Sequence, residues 1–232
     1  MNKRIINITF TEDVLGSLNN NPKIFGEFQE TKAPTAEKAA EERATVIGTM
    51  TPEELEKATE DKIEKQTTVF PRNTDGKIAG LPKNACFCFD YQWRGFFKEA
   101  LQLGTEVGED AMGKLSKWTI RKAVDSLVFV VERRIPFYLD GKPITEVNQL
   151  ERPLRAMTAR GERICLARSE VIPAGATLTF TLQWLTNNSP KSTQNITEEA
   201  LLWALDYGAL KGFGQWRGGG FGRFTYKISE VA

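Results

Sequence analysis

Between Lys211 and Phe224 the chain reads KGFGQWRGGGFGRF, with six glycines (Gly212, Gly214, Gly218, Gly219, Gly220, Gly222) set among Lys211, Arg217, Arg223 and the rings of Phe213, Trp216, Phe221 and Phe224. Glycine lacks Cβ, so such a run can take positive φ and let other backbone approach closely. Ordering it costs entropy, and a simple turn would use one or two glycines. Bare amides, guanidinium groups and flat rings together suit a phosphodiester backbone and unstacked bases. A structural reading stands beside this one: a Gly-rich link can be a bulged turn that lets a strand enter a crowded sheet. The run is not a Walker loop, because no GxxxxGK[ST] occurs. Nor is it a dinucleotide-fold turn, because a helix precedes it and a strand follows, the reverse of that order.

The flanking pattern supplies the fold. Lys3 to Phe10 alternates as a first strand, with Ile6, Ile8 and Phe10 on one side. Tyr91 to Leu101 is amphipathic at helical spacing, placing Trp93, Phe96, Phe97, Ala100 and Leu101 on one face. Ser126 to Arg134 reads as a buried strand, and Arg163 to Arg168 as another. From Ala176 to Leu185, Leu178, Phe180, Leu182 and Trp184 alternate with Thr177, Thr179, Thr181 and Gln183, the clearest half-buried strand of the chain. Asn195 or Thr197 caps a helix through Tyr207, which Gly208 stops. Phe221 to Ile228 is the last strand. With insertions removed, the order is βαββαβ, an α+β, ferredoxin-like (RRM-like) core with helices on an antiparallel sheet.

The 232 residues, 41% hydrophobic, suffice for one domain over 1–232. Residues 27–66 interrupt it. They hold six Lys/Arg and eleven Asp/Glu, so a net of −5 there leaves +6 on the rest of a +1 chain. Ala/Glu/Lys richness, with Thr51-Pro52 and Glu54 as a helix start, predicts a charged helical insertion after the first strand. No apolar run approaches the roughly 20 residues that span a bilayer, so the expectation is a cytoplasmic protein without membrane partners.

Chemistry-bearing groups are few. The chain contains no histidine, which removes the usual general base and the Ser–His and Cys–His mechanisms. Cys86 and Cys88 share one face of an alternating strand and read as buried, inert thiols; a structural zinc would need four ligands. No cofactor or metal site and no catalytic residue is expected. Basic groups are better represented. Arg94 and Lys98 lie one turn apart near a helix start, where amides also point outward, so they form either an anion site or solvated charges. Arg152, Arg155, Arg160, Arg163 and Arg168 fall within one short span against only Glu162, the densest basic patch in the sequence. The candidate nucleic-acid-binding residues are therefore Lys211, Gly212, Gly214, Gln215, Trp216, Arg217, Gly218, Gly219, Gly220, Gly222 and Arg223, with Arg94, Lys98, Arg152, Arg155, Arg160 and Arg163.

The glycine run between the last helix and the last strand resembles the signature loop of the CRISPR-associated RAMP superfamily. Leu81-Pro82 with Arg94-Gly95, and Pro173-Ala174-Gly175 before the alternating strand, are similar to further segments of that superfamily. More closely, Leu150-Glu151-Arg152-Pro153-Leu154-Arg155, Gly161-Glu162-Arg163 and Gly214-Gln215-Trp216-Arg217 resemble an uncharacterised bacteriophage protein family. The RAMP resemblance implies RNA binding through the loop and the sheet face, within a guide-bearing assembly of protein subunits. Members that cut their own RNA commonly use histidine, absent here. Backbone members that cut target RNA use an aspartate after the first strand, and Asp13 is the rough positional match, read here as a solvated turn residue. Three functions follow in order: non-catalytic binding of single-stranded nucleic acid, RNA ahead of DNA; a phage module acting on a host protein complex, favoured by the acidic segment; and a metal-dependent ribonuclease using Asp13, Asp90, Asp140 or Asp206.

Overall fold

The computed structural model describes residues 1–19, 67–76, 78–158, 161–187 and 195–229. The helical insertion expected over 27–66 lies outside them, as does Arg160. The described chain is a mixed α+β protein. In chain order, the elements that matter are β1 (Asn2–Phe10), β2 (Leu18–Asn19), β3 (Thr67–Val69), α1 (Asp90–Val107), α2 (Ile120–Leu127), β4 (Val128–Val130), β5 (Asn148–Thr158), β6 (Gly161–Ile172), β7 (Thr177–Trp184), α3 (Glu198–Lys211) and β8 (Phe224–Ser229). They fall into two compact units. The first takes in Met1–Val14, Cys88–Tyr138 and Ala174–Ala232; the second takes in Leu15–Phe87 and Leu139–Pro173.

In the first unit β1 is central. It pairs antiparallel with β7, Ile6 opposite Phe180 and Ile8 opposite Leu178. On its other side it pairs antiparallel with β8, Phe10 opposite Phe224. β4 joins the free side of β7, antiparallel, so the strands run β8–β1–β7–β4. Alternation puts Ile6, Ile8, Phe10, Leu178, Phe180, Leu182, Trp184 and Phe224 on one face, and all are buried. Both long helices cover that face. Trp93 of α1 lies 4.7 Å from Phe180, and the hydroxyl of Tyr226 on β8 donates to Asp206 of α3 at 2.9 Å. The opposite face exposes Lys3, Thr9, Thr179, Thr225 and Lys227.

Helix ends explain two departures from the sequence reading. Thr197 does cap α3, its hydroxyl accepting from the Ala200 N–H at 3.2 Å. Gly208, however, does not stop the helix, which continues to Lys211. Gly208 is there because a Cβ would stand 2.1 Å from the ring of Phe224. The strand expected over Ser126–Arg134 is shorter, because α2 occupies Ile120–Leu127, the strand ends at Val130, and Arg134 begins a separate strand, Arg134–Pro136. Ile120, Ala123 and Val124 are buried at helical spacing, which outweighs the β-branched run that follows.

The second unit is built on the hairpin β5–β6, paired antiparallel from Asn148–Val171 to Thr158–Gly161. β3 adds to β6 in parallel, and β2 pairs β3 antiparallel. Phe70, Cys86, Ile144, Val171 and Ile172 are among its buried residues. Glu170 orders one end: its carboxylate accepts from the Phe70 N–H at 2.8 Å and from the Arg72 guanidinium at 2.7 Å. Burial pushes the Cys86 thiol up to about 11, and Arg72 only partly offsets this. The Cys88 thiol, in the first unit, is also raised by burial. Both are free, buried cysteines, as the alternating strand suggested.

Candidate nucleic-acid interface

The glycine-rich segment divides into a neck and a tip. At the neck two backbone stretches cross. The Phe213 N–H donates to the Gly222 carbonyl at 2.8 Å, and the Gly222 N–H donates to the Asp13 carbonyl at 2.7 Å. A Cβ on Gly222 would meet the Phe213 carbonyl oxygen at 1.9 Å, and one on Gly212 would meet the Phe221 oxygen at 2.2 Å. Both glycines also have positive φ, 70° and 83°. No other residue fits either position. Phe213 nails the neck to the core: its ring is 3% exposed and stacks on Trp93 at 4.3 Å and 13°.

Asp13 is part of this neck rather than a solvated turn residue. Its carboxylate accepts from the Ala174 N–H at 2.9 Å while its carbonyl receives Gly222. The loop after β1, the turn before β7 and the glycine segment are thereby tied together. Asp13 is thus engaged in holding backbone.

The tip is different. It runs through Gly214, Trp216 (φ 54°), a short 3-10 turn at Arg217–Gly219, and Gly220 (φ 89°). Left-handed backbone is uncommon for a bulky residue and is held only when the surroundings impose it. Trp216 is 42% exposed and stacks on Phe221 at 5.3 Å and 18°. Gly218 is exposed, with no atom within 4 Å of where its Cβ would stand. Arg223 is exposed, its guanidinium beside Gly220, and among the described residues it makes no ion pair. Arg217 and Lys211 share one carboxylate, that of Glu99 on α1, at 2.7 and 3.7 Å. Gln215 is half-buried.

The other sequence candidates are distributed elsewhere. Arg94 pairs with Asp90 at 2.9 Å, and Asp90 also receives Arg133, whose guanidinium lies 5.3 Å from the centroids of both Phe89 and Tyr91. Lys98 pairs with Asp125 of α2. Neither cation stands as an unoccupied anion site. The arginine span occupies β5 and β6 of the second unit, and strand alternation divides it. Arg152 is buried, donates to the Ser169 hydroxyl at 3.0 Å and has its pKa lowered by burial. Arg155, three residues on, is exposed on the other face. Arg168 pairs with Glu151 at 3.2 Å, and Arg163 lies opposite Ala156 in the ladder. Among the described residues of the span, Arg152 and Arg155 therefore lie on opposite faces of the hairpin.

Sequence reasoning missed Glu99, the neck role of Asp13 and the anchoring by Phe213. The first two act across long sequence separations and leave no local spacing. Phe213 carried a signal, a large ring between two glycines directly after a helix.

No protein-family model matches the chain, and no curated protein matches it in sequence. Among solved structures, a chain of a Type IV-B CRISPR Complex is similar over 100% of this chain and 92% of its own, at 11% identity and a TM-score of 0.45. At that identity and score the likeness assigns neither a fold family nor a function.

Proposed function

We propose that the chain binds single-stranded RNA without acting on it chemically, through the tip of the glycine-rich loop. The observation that carries this reading is the division of the loop: a sterically locked neck presents bare backbone, a guanidinium and a stacked aromatic pair to solvent. A bulged turn needs the neck alone. It gives no reason for Trp216 to be exposed in left-handed backbone, or for Gly218 and Arg223 to stand open beside it. The open backbone at Gly218 and the Arg223 guanidinium suit phosphate oxygens, and the Trp216–Phe221 pair suits an unstacked base.

The strand order β8–β1–β7–β4, all antiparallel with both helices on one face, supports a ferredoxin-like core. The loop lies between its last helix and last strand, where the RAMP resemblance places an RNA-binding loop, and this favours RNA over DNA.

Fluorescence anisotropy with a labelled 20-mer oligouridylate, its DNA counterpart and a duplex tests the proposal. The single strand should bind more tightly than the duplex, with log affinity falling by about 0.7 per neutralised phosphate for each unit of log salt. Trp216→Ala should cost about 1–3 kcal/mol of binding. Absence of binding, or equal binding of the duplex, overturns the reading; tighter binding of the DNA strand moves it to single-stranded DNA.

A further inference from the structure

Resting on that reading, we infer that Glu99 is a built-in competitor for the ligand's phosphate, holding Arg217 and Lys211 until a phosphodiester displaces it. The carboxylate gives one oxygen to each cation, Oε2 to Arg217 at 2.7 Å and Oε1 to Lys211 at 3.7 Å. The three side chains are 28–40% exposed, so an incoming anion can reach all of them. Exposed pairs of this kind add little to folding stability. A simple structural clamp is therefore a poor account of why one carboxylate gathers both cations at the loop.

The geometry fits phosphate exchange well. Arg217 stands at the start of the tip's 3-10 turn, one residue after Trp216, and Lys211 closes α3 at the base of the loop. Together they bracket the segment proposed to take the backbone. Two cations against one carboxylate leave net positive charge, so Glu99 weakens the site without cancelling it. Guanidinium binds phosphate bidentately at least as well as a single carboxylate oxygen. Arg223, outside this arrangement, is the cation that makes first contact.

The test is Glu99→Gln, which keeps shape and removes charge, with thermal melts to establish that both proteins are folded. With the labelled 20-mer, the variant should bind several-fold more tightly at 50 mM salt. Removing the one competing carboxylate adds one net positive charge at the site, which should steepen the log–log salt dependence by about 0.7, an extra loss of about threefold between 50 and 200 mM. Arg217→Gln should also weaken binding more in the Glu99→Gln background than in the parent. Weaker or unchanged affinity of Glu99→Gln, or a salt dependence that stays the same, overturns the inference and leaves Glu99 as a support for Arg217. If neither protein binds any nucleic acid, the RNA reading fails separately. Tripolyphosphate, followed by tryptophan fluorescence, then decides on Glu99 alone: tighter binding by the variant sustains competition, and equal binding ends it.

Discussion

Gly222 and Gly218 are four residues apart in one glycine-rich run, yet they have opposite reasons to be glycine. At Gly222 the backbone is left-handed at φ 70° and a Cβ would overlap the Phe213 carbonyl oxygen at 1.9 Å. Relief would require breaking the Phe213–Gly222 hydrogen bond and withdrawing the Phe213 ring from Trp93. Gly222→Ala should therefore destabilise by about 2 kcal/mol or more, lowering the melting temperature by about 4–8 °C for a chain of this size. Gly218 meets nothing and carries no positive φ, so Gly218→Ala should leave the melt within about 1 °C. The same substitution should still reduce RNA binding, because it puts a methyl group where the backbone now lies open to a phosphate. Calorimetric melts and anisotropy on the two variants check the pair of outcomes, and a stable Gly222→Ala would contradict the locked neck. This difference also marks where the sequence stopped being informative about the site. Composition singled out the run, the rings and the arginines. It could not separate neck from tip, because that depends on which residues meet Phe213 and Asp13 across more than two hundred positions for the latter.

Elements follow the same logic, with local pattern reliable until tertiary contact overrides it. β1 and β7 were legible because strict alternation over eight or more residues has only one amphipathic solution. The start of α1 was legible from Trp93, Phe96 and Phe97, but its end was not. Gly104 looks like a breaker and is instead a contact point, its Cβ position 2.9 Å from both the Met112 sulfur and the Trp203 ring. The long strand β5 escaped notice because Pro153 and the arginines obscure its alternation; pairing with β6 imposes it. Gly208 decides between two opposing effects of known size. In an isolated helix, Gly→Ala gains up to about 1 kcal/mol. Here the added methyl would stand 2.1–2.7 Å from three ring carbons of Phe224, itself packed against Phe10 and Phe96. A ring held from several sides cannot swing away, and overpacking of this kind costs about 1–3 kcal/mol or more. The steric term wins, so Gly208→Ala should lower stability despite its better helix propensity, as denaturant titration would show. A stabilised variant would mean that α3 moves off the sheet at little cost.

At the scale of the whole molecule, charge and proton balance set what the solution conditions can do. The +1 net charge conceals an acidic segment at 27–66 and a basic remainder. Steering toward a polyanion must therefore come from local fields around the loop rather than from bulk charge. Because the chain has no histidine, no side chain ordinarily changes charge between pH 6 and 8, and both stability and binding should be flat there. The alkaline side is different. Burial pushes Cys86 from its ordinary value of 9.0 up to about 11 and raises Cys88 as well. Between these limits the folded protein keeps its thiol protons while the unfolded chain loses them. The unfolded state then binds fewer protons, so stability is full below about pH 8.5 and falls as pH rises toward 11. Each fully shifted thiol contributes a slope of up to about 1.4 kcal/mol per pH unit, or about 3–5 °C in melting temperature. Melts taken from pH 6 to 10.5 at fixed ionic strength should show a plateau and then a decline. Cys86→Ala should pay a small packing cost at pH 7 and decline less steeply above pH 9. If its slope above pH 9 equals that of the parent protein, the buried Cys86 thiol does not govern the alkaline limit, and the packing around Cys86 is looser than its zero exposure implies.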